Sequence, residues 1–163
     1  MADVMRAITI RQPWADAIET GAKNVENRTW VSRQLRVGDQ LAIHAGAASV
    51  SSDALAYMLE KRGIDVRALA RRSRHYGTTG AVIAVVDYLG AHLDTDEDPH
   101  DVAPWRECCG SPWAFRGAKH WVLGNVIHLT EPVPVPGGGR LGVWTLPGDV
   151  AAEVRRRMEV SRG

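Results

Sequence analysis

The sequence predicts an α+β fold, and three stretches carry that expectation. Ala81-Val82-Ile83-Ala84-Val85-Val86, within a run from Gly80 to Leu89, is apolar on both faces of an extended chain and reads as the central, doubly buried strand. Pro13 to Thr20 reads as a short helix: Pro13 suits a first helical position, Trp14, Ala17 and Ile18 share one face, and Gly21 supplies a left-handed stop. Gly21-Ala22-Lys23-Asn24-Val25-Glu26-Asn27-Arg28 then has to turn and run extended to Val31, carrying charges of both signs into the fold. A chain of 163 residues, 45% hydrophobic and 24% charged, fits one domain over 1–163, with a core at about 6–147 and a C-terminal helix at 148–160.

The remaining elements follow in order. Ala7 to Ile10 forms the first strand, and Arg11-Gln12 marks its junction with the helix, where helix N-H groups favour an anion. Arg11 therefore stands either as a phosphate or base contact or as the partner of a carboxylate such as Asp16 or Glu19. Asp39 to His44 is a strand ending on an imidazole. Ser52 or Asp53 caps a helix with Leu55, Met58 and Leu59 inward and Lys61-Arg62-Gly63 closing it. A second helix, about Val66 to Arg74, carries Arg67, Arg71, Arg72 and Arg74, the most basic local run; it reads as a solvated face or as phosphate contacts flanking a cleft. Trp121 to Leu129 and Leu141 to Leu146 are strands, and the alternating prolines of Pro132 to Pro136 predict an irregular, extended rim.

Composition excludes several classes. Twenty Lys and Arg against nineteen Asp and Glu give +1, so no global field draws the chain to nucleic acid or membrane, and any such site must be local. No apolar stretch reaches the ~20 residues that span a bilayer, and the N-terminus has no signal pattern, which predicts a cytoplasmic protein. Cys108 and Cys109 are adjacent and match no zinc spacing with His92, His100 or His120, so no metal and no cofactor are expected. The acidic run from Asp94 to Asp101 reads as a solvated loop. Gly137-Gly138-Gly139 lacks the Lys-Ser/Thr and helix of a triphosphate loop.

Chemistry concentrates after Gly21. Residues two apart in a strand share a face, so Glu26 and Arg28 point together, and Lys23 at the turn can reach over them. The cluster reads either as ion pairs locking the corner or as a recognition site for an anion or a base. Farther on, Ser111 to Trp121 interleaves Trp113, Phe115 and Trp121 with Arg116, Lys119 and His120, which suits base stacking combined with phosphate attraction as well as it suits a core. The Gly110-Ser111-Pro112 turn would present Trp113 at a loop tip.

Gly21-x-Lys23-x-x-Glu26-x-Arg28 after a short helix, preceded by Ile8-Thr9-Ile10-Arg11-Gln12-Pro13-Trp14-Ala15, resembles the ASCH domain family of the PUA-like superfamily, and within it the bacterial branch that begins with Ile-Arg-Gln-Pro-Trp. Leu41 to Ala45 and Gly142-Val143-Trp144 fit the same pattern, so the likeness runs from about 6 to 147. The resemblance implies a mixed β pseudo-barrel of five or six strands flanked by short helices, with a cleft beside the motif. It also implies RNA binding and, in some members, hydrolysis of nucleoside or RNA substrates.

Three functions compete. A binding module for RNA or single-stranded nucleic acid would line its cleft with Arg11, Lys23, Glu26 and Arg28, add Arg116 and Lys119, and stack bases on Trp30 or Trp113, with Glu26 reading a base edge. A small hydrolase acting on a modified nucleoside or on RNA would use Lys23 and Glu26, or Lys23 and His44 in a nuclease. In amidohydrolases of the family the residue three after the Lys is a hydroxyl, and here that position is Glu26. A protein-interaction domain using the aromatic rim is the third. Oligomeric state does not follow from the sequence.

Overall fold

The computed structural model describes residues 4–93 and 110–163. The acidic run and Cys108-Cys109 lie outside the described residues. Six strands, β1 (Arg6–Gln12), β2 (Val25–Arg28), β3 (Gln40–Ser49), β4 (Ala81–Leu93), β5 (Lys119–Pro134) and β6 (Val143–Thr145), form one mixed sheet in the order β2-β5-β4-β3-β1-β6. β1 and β3 run parallel; the other pairs are antiparallel. The described helices are α1 (Trp14–Glu19), α2 (Ser52–Arg62), α3 (Val66–Ala70) and α4 (Gly148–Arg162).

The doubly apolar run becomes β4, near the middle of the sheet, with Val82 to Val86 fully buried. Its residues face two cores. Ile83 and Val86 pack with Ile8, Ile43 and Trp121, and Val82 and Val85 pack with Ala42, Leu129 and the α4 residues Val150 and Val154. Register shifts at 82/84, 85/87 and 88/90 against β5, and at 43/44 between β3 and β4, add local twist. The sheet consequently curls until β2, at one end of the order, meets β1 near the other: Arg28 Nη2 donates to the Thr9 carbonyl at 3.3 Å. This is the pseudo-barrel, and it brings the charged motif against the first strand.

Several local expectations need correction. The helix α2 is capped by Ser51, whose hydroxyl accepts from Ala54 N, one residue before the expected cap. Leu59 faces solvent at 54% exposure, and Met58 is the buried anchor. The basic helix ends at Ala70, so Arg71, Arg72 and Arg74 belong to a turn instead. Pro132 and Pro134 lie inside β5, where Val133 and Pro134 pair with Val82 and Ala81. Proline is tolerated there because β2 pairs only with residues 119–122 of β5, leaving the other edge of the 132–134 segment, among the described residues, without a strand that needs its N-H groups.

Candidate nucleic-acid interface

Three short elements build the site. Helix α1 stops at Thr20, and Gly21 takes a φ of +83°, a conformation that costs a side-chain-free residue nothing. Lys23 N then bonds back to Ala17 O at 3.1 Å, and the chain enters β2. In β2 the period-two alternation holds: Val25 is buried in a core cluster with Ala17, Trp113 and Val122, while Glu26 and Arg28 point together.

Lys23 and Glu26 are both buried. Lys23 Nζ donates to Glu26 Oε2 at 2.7 Å and to the Val25 carbonyl, and it lies 5.9 Å from the centre of the Trp14 ring. Arg28 Nε stands 3.1 Å from Glu26 Oε1, an ion pair in which the N-H direction misses hydrogen-bond geometry. Glu26 is thereby held between two cations. An ammonium carries three donors, so Lys23 keeps one N-H beyond those two contacts, and Glu26 keeps lone pairs on both oxygens.

Beside this pair is a cavity of about 150 Å³ lined by Trp14, Lys23, Glu26, Asn27, Trp113 and Phe115. Trp14 and Trp113 meet edge to face, ring centres 5.8 Å apart at 89°. Asn27 fastens the wall: its Nδ2 donates to Trp113 O and its Oδ1 accepts from Phe115 N, each at 2.8 Å. The same segment is tied again by Ser111 Oγ, which donates to Asn24 Oδ1 at 2.7 Å and accepts from Trp113 N at 3.2 Å.

These bonds correct the expectation of an indole displayed at a loop tip. Trp113 is only 4% exposed and forms part of the cavity wall. Trp30 is elsewhere, packed edge to face on Trp121 at 4.9 Å, with Trp121 Nε1 donating to its carbonyl. Arg11 is exposed and does not line the cavity, nor do its suggested carboxylate partners pair with it. Asp16 accepts from Gly77 N, and Glu19 contacts His128 and Arg74 N. Arg116 is exposed and Lys119 half-buried, Lys119 standing opposite Arg28 in the β2–β5 ladder. Neither lines the cavity.

His44 also lies apart from the Lys23 cavity. It is buried, edge to face with Trp144 at 5.5 Å, and its Nδ1 is 3.3 Å from Thr9 Oγ1. Trp144 Nε1 donates to the same hydroxyl at 3.2 Å, so Thr9 Oγ1 links the indole to the imidazole. The backbone at Gly139 presses on this group: a Cβ there would lie 2.2 Å from Thr9 Oγ1 and 2.6 Å from His44 Nδ1. Desolvation holds the His44 pKa below the ordinary imidazole value, partly opposed by the Gly80 backbone. His44 does not line the cavity that holds Lys23, so the structure does not bring those two residues together there.

Sequence reasoning missed Trp14 and Asn27 as wall residues. Asn27 carried a signal, since an amide at a strand position turned to the core side has to find partners there. Among the described residues no group of three His, Cys, Asp or Glu is placed to hold a metal ion.

A curled mixed sheet with short helices and a charged pocket at the α1–β2 corner defines a PUA-like fold. The chain matches the ASCH domain family over residues 8–133, and it belongs to that family. Crystal structures of an ASCH protein from Zymomonas mobilis share the fold: the protein superposes with a TM-score of 0.52 at 10% identity. A serine-to-alanine mutant of that protein gives 0.51 at 11%, each covering 93% of this chain and 94% of the other. No curated protein matches the chain. No described helix is long and apolar enough to cross a membrane.

Proposed function

We propose that this ASCH domain binds RNA or single-stranded nucleic acid by taking one base into the Trp14–Trp113 cavity. The observation that carries the reading is the meeting of three aromatic side chains and the Lys23–Glu26 pair around a single cavity. Aromatic walls offer stacking and edge contacts that any base satisfies, worth ~1–3 kcal/mol per base. The remaining Lys23 donor and the Glu26 lone pairs offer one hydrogen-bond donor and several acceptors to a base edge, the kind of contact that specifies sequence. The general association of ASCH domains with RNA agrees with this.

Lys23 acts here as a base-edge donor and as the partner of Glu26; its burial withdraws it from the role of a simple phosphate contact. The test is fluorescence anisotropy with short RNA and DNA strands of each base, followed by mass analysis of the same samples. Saturable binding of intact strands, with the base preference altered in Glu26→Gln, is the expected result. A changed substrate mass that disappears in Lys23→Ala would replace binding with hydrolysis. Absence of binding to every strand at low salt would remove the nucleic-acid reading.

A further inference from the structure

On the other side of the Thr20–Lys23 turn is a second cavity, of about 440 Å³, lined by Glu19, Thr20, Gly21, Ala22, Leu69, Arg72, Arg74 and His128. Ala22 lines this cavity and Lys23 lines the first. Two consecutive residues of the turn therefore belong one to each cavity.

What holds Arg72 and Arg74 at this cavity is a pair of carboxylates buried in α1. Glu19 Oε2 accepts from Arg74 N at 3.3 Å, and Asp16 Oδ2 accepts from Gly77 N at 2.9 Å. Arg72 N and Ser73 N bond back to Leu69 O and Ala70 O. The turn after α3 is thus pinned by its backbone to the helix that leads into the motif, and its guanidinium groups remain for other use. Both arginines are exposed, and among the described residues neither guanidinium makes an ion pair. The one carboxylate of the cavity, Glu19, is 1% exposed, and its two oxygens are taken by His128 Nδ1 at 3.0 Å and Arg74 N at 3.3 Å. A cavity whose one carboxylate is already hydrogen-bonded and which displays two planar, multi-donor cations fits a phosphate.

We infer that this cavity is a backbone-phosphate subsite for the same single strand whose base enters the Trp14–Trp113 cavity, with Arg72 and Arg74 as its phosphate ligands. The inference rests on the binding function proposed above. It assigns a role to a basic turn that the Gly-x-Lys-x-x-Glu-x-Arg motif does not include, and it explains why a protein of net charge +1 would bind a polyanion at a local site.

The experiment is a salt series of RNA affinity for the wild type, Arg72→Ala/Arg74→Ala, Arg71→Ala and Glu26→Gln. The double variant should bind every strand more weakly with unchanged base preference. Its slope of log affinity against log salt should be shallower by ~0.7 for each phosphate that is no longer neutralised. Arg71 is exposed on the same turn but does not line the cavity, so its removal should change the slope less. A double-variant slope equal to that of the wild type, or matched by Arg71→Ala, overturns the subsite while leaving the base cavity standing. Absence of the slope effect together with tight binding of inorganic pyrophosphate to the wild type would overturn the strand in favour of a small phosphorylated ligand. If Glu26→Gln leaves base preference intact and the arginine effect persists, the base cavity fails and the phosphate subsite survives. Failure of the wild type to bind any strand overturns both.

Discussion

At the scale of single residues, the Lys23–Glu26 contact is both the centre of the proposed site and a structural commitment. Removing one member of a buried ion pair strands the other charge, at a cost of about 3–5 kcal/mol. Glu26 retains Arg28 Nε at 3.1 Å, so Lys23→Ala should fall near the lower end, about 3 kcal/mol. Urea unfolding checks this, and Lys23→Met with Glu26→Leu should cost less than Lys23→Ala alone. Asp16 offers a second test. Burial raises its carboxyl pKa above the ordinary 3.8, against the hydrogen bonds from Gly77 and Gln12. The folded protein therefore holds a proton there that the unfolded chain gives up near pH 4, and stability falls as pH rises from 3.8 through the raised value. Asp16→Asn keeps an oxygen for Gly77 N and should remove that slope. Its stability relative to the wild type, by urea unfolding, should grow as pH rises from 3.8 through the raised value, and a pH-independent difference would contradict the assignment.

At the scale of elements, β2 is only four residues long, yet it pairs with β5 along the backbone, packs Val25 with Ala17 of α1 and ties the 111–118 segment through Asn27. Asn27→Ala would leave the Trp113 carbonyl and the Phe115 N-H without partners, at about 1–3 kcal/mol for each buried group. Faster amide exchange confined to residues 111–118 should accompany the substitution, and global loosening with no local bias would argue against Asn27 as the fastener. This element also marks how far the sequence could be read. The shared face of Glu26 and Arg28 was legible because a period of two fixes it from adjacent residues. The burial of Trp113 was not, because the Asn27 bonds that hold it join positions 86 and 88 apart. Asp16 and Glu19 were read as possible partners of Arg11, and their actual partners were not legible for the same reason: Gly77, Arg74 and His128, which engage them, are distant in sequence. Propensity likewise placed Pro132 to Pro136 outside regular structure. What decided otherwise was edge position, which depends on sheet order.

At the scale of the whole molecule, the curl of the sheet turns a charged corner into a pocket. Arg28 bridges β2 to β1, the β5 side supplies the aromatic segment before it, and α1 supplies Trp14. No one of these elements contains the cavity. The central claim is that a base occupies it, and the six indole N-H groups of the protein report on that directly. The measurement is a heteronuclear NMR titration of the labelled protein with a single-stranded RNA oligonucleotide, following those indole signals. Saturable shifts of Trp14 and Trp113, with the same midpoint as the anisotropy curve, are the expected result. The Trp121 and Trp144 indoles, bonded to Trp30 O and Thr9 Oγ1, should stay in place. Binding that moves none of the Trp14 and Trp113 signals, or moves Trp121 and Trp144 in their stead, would contradict it.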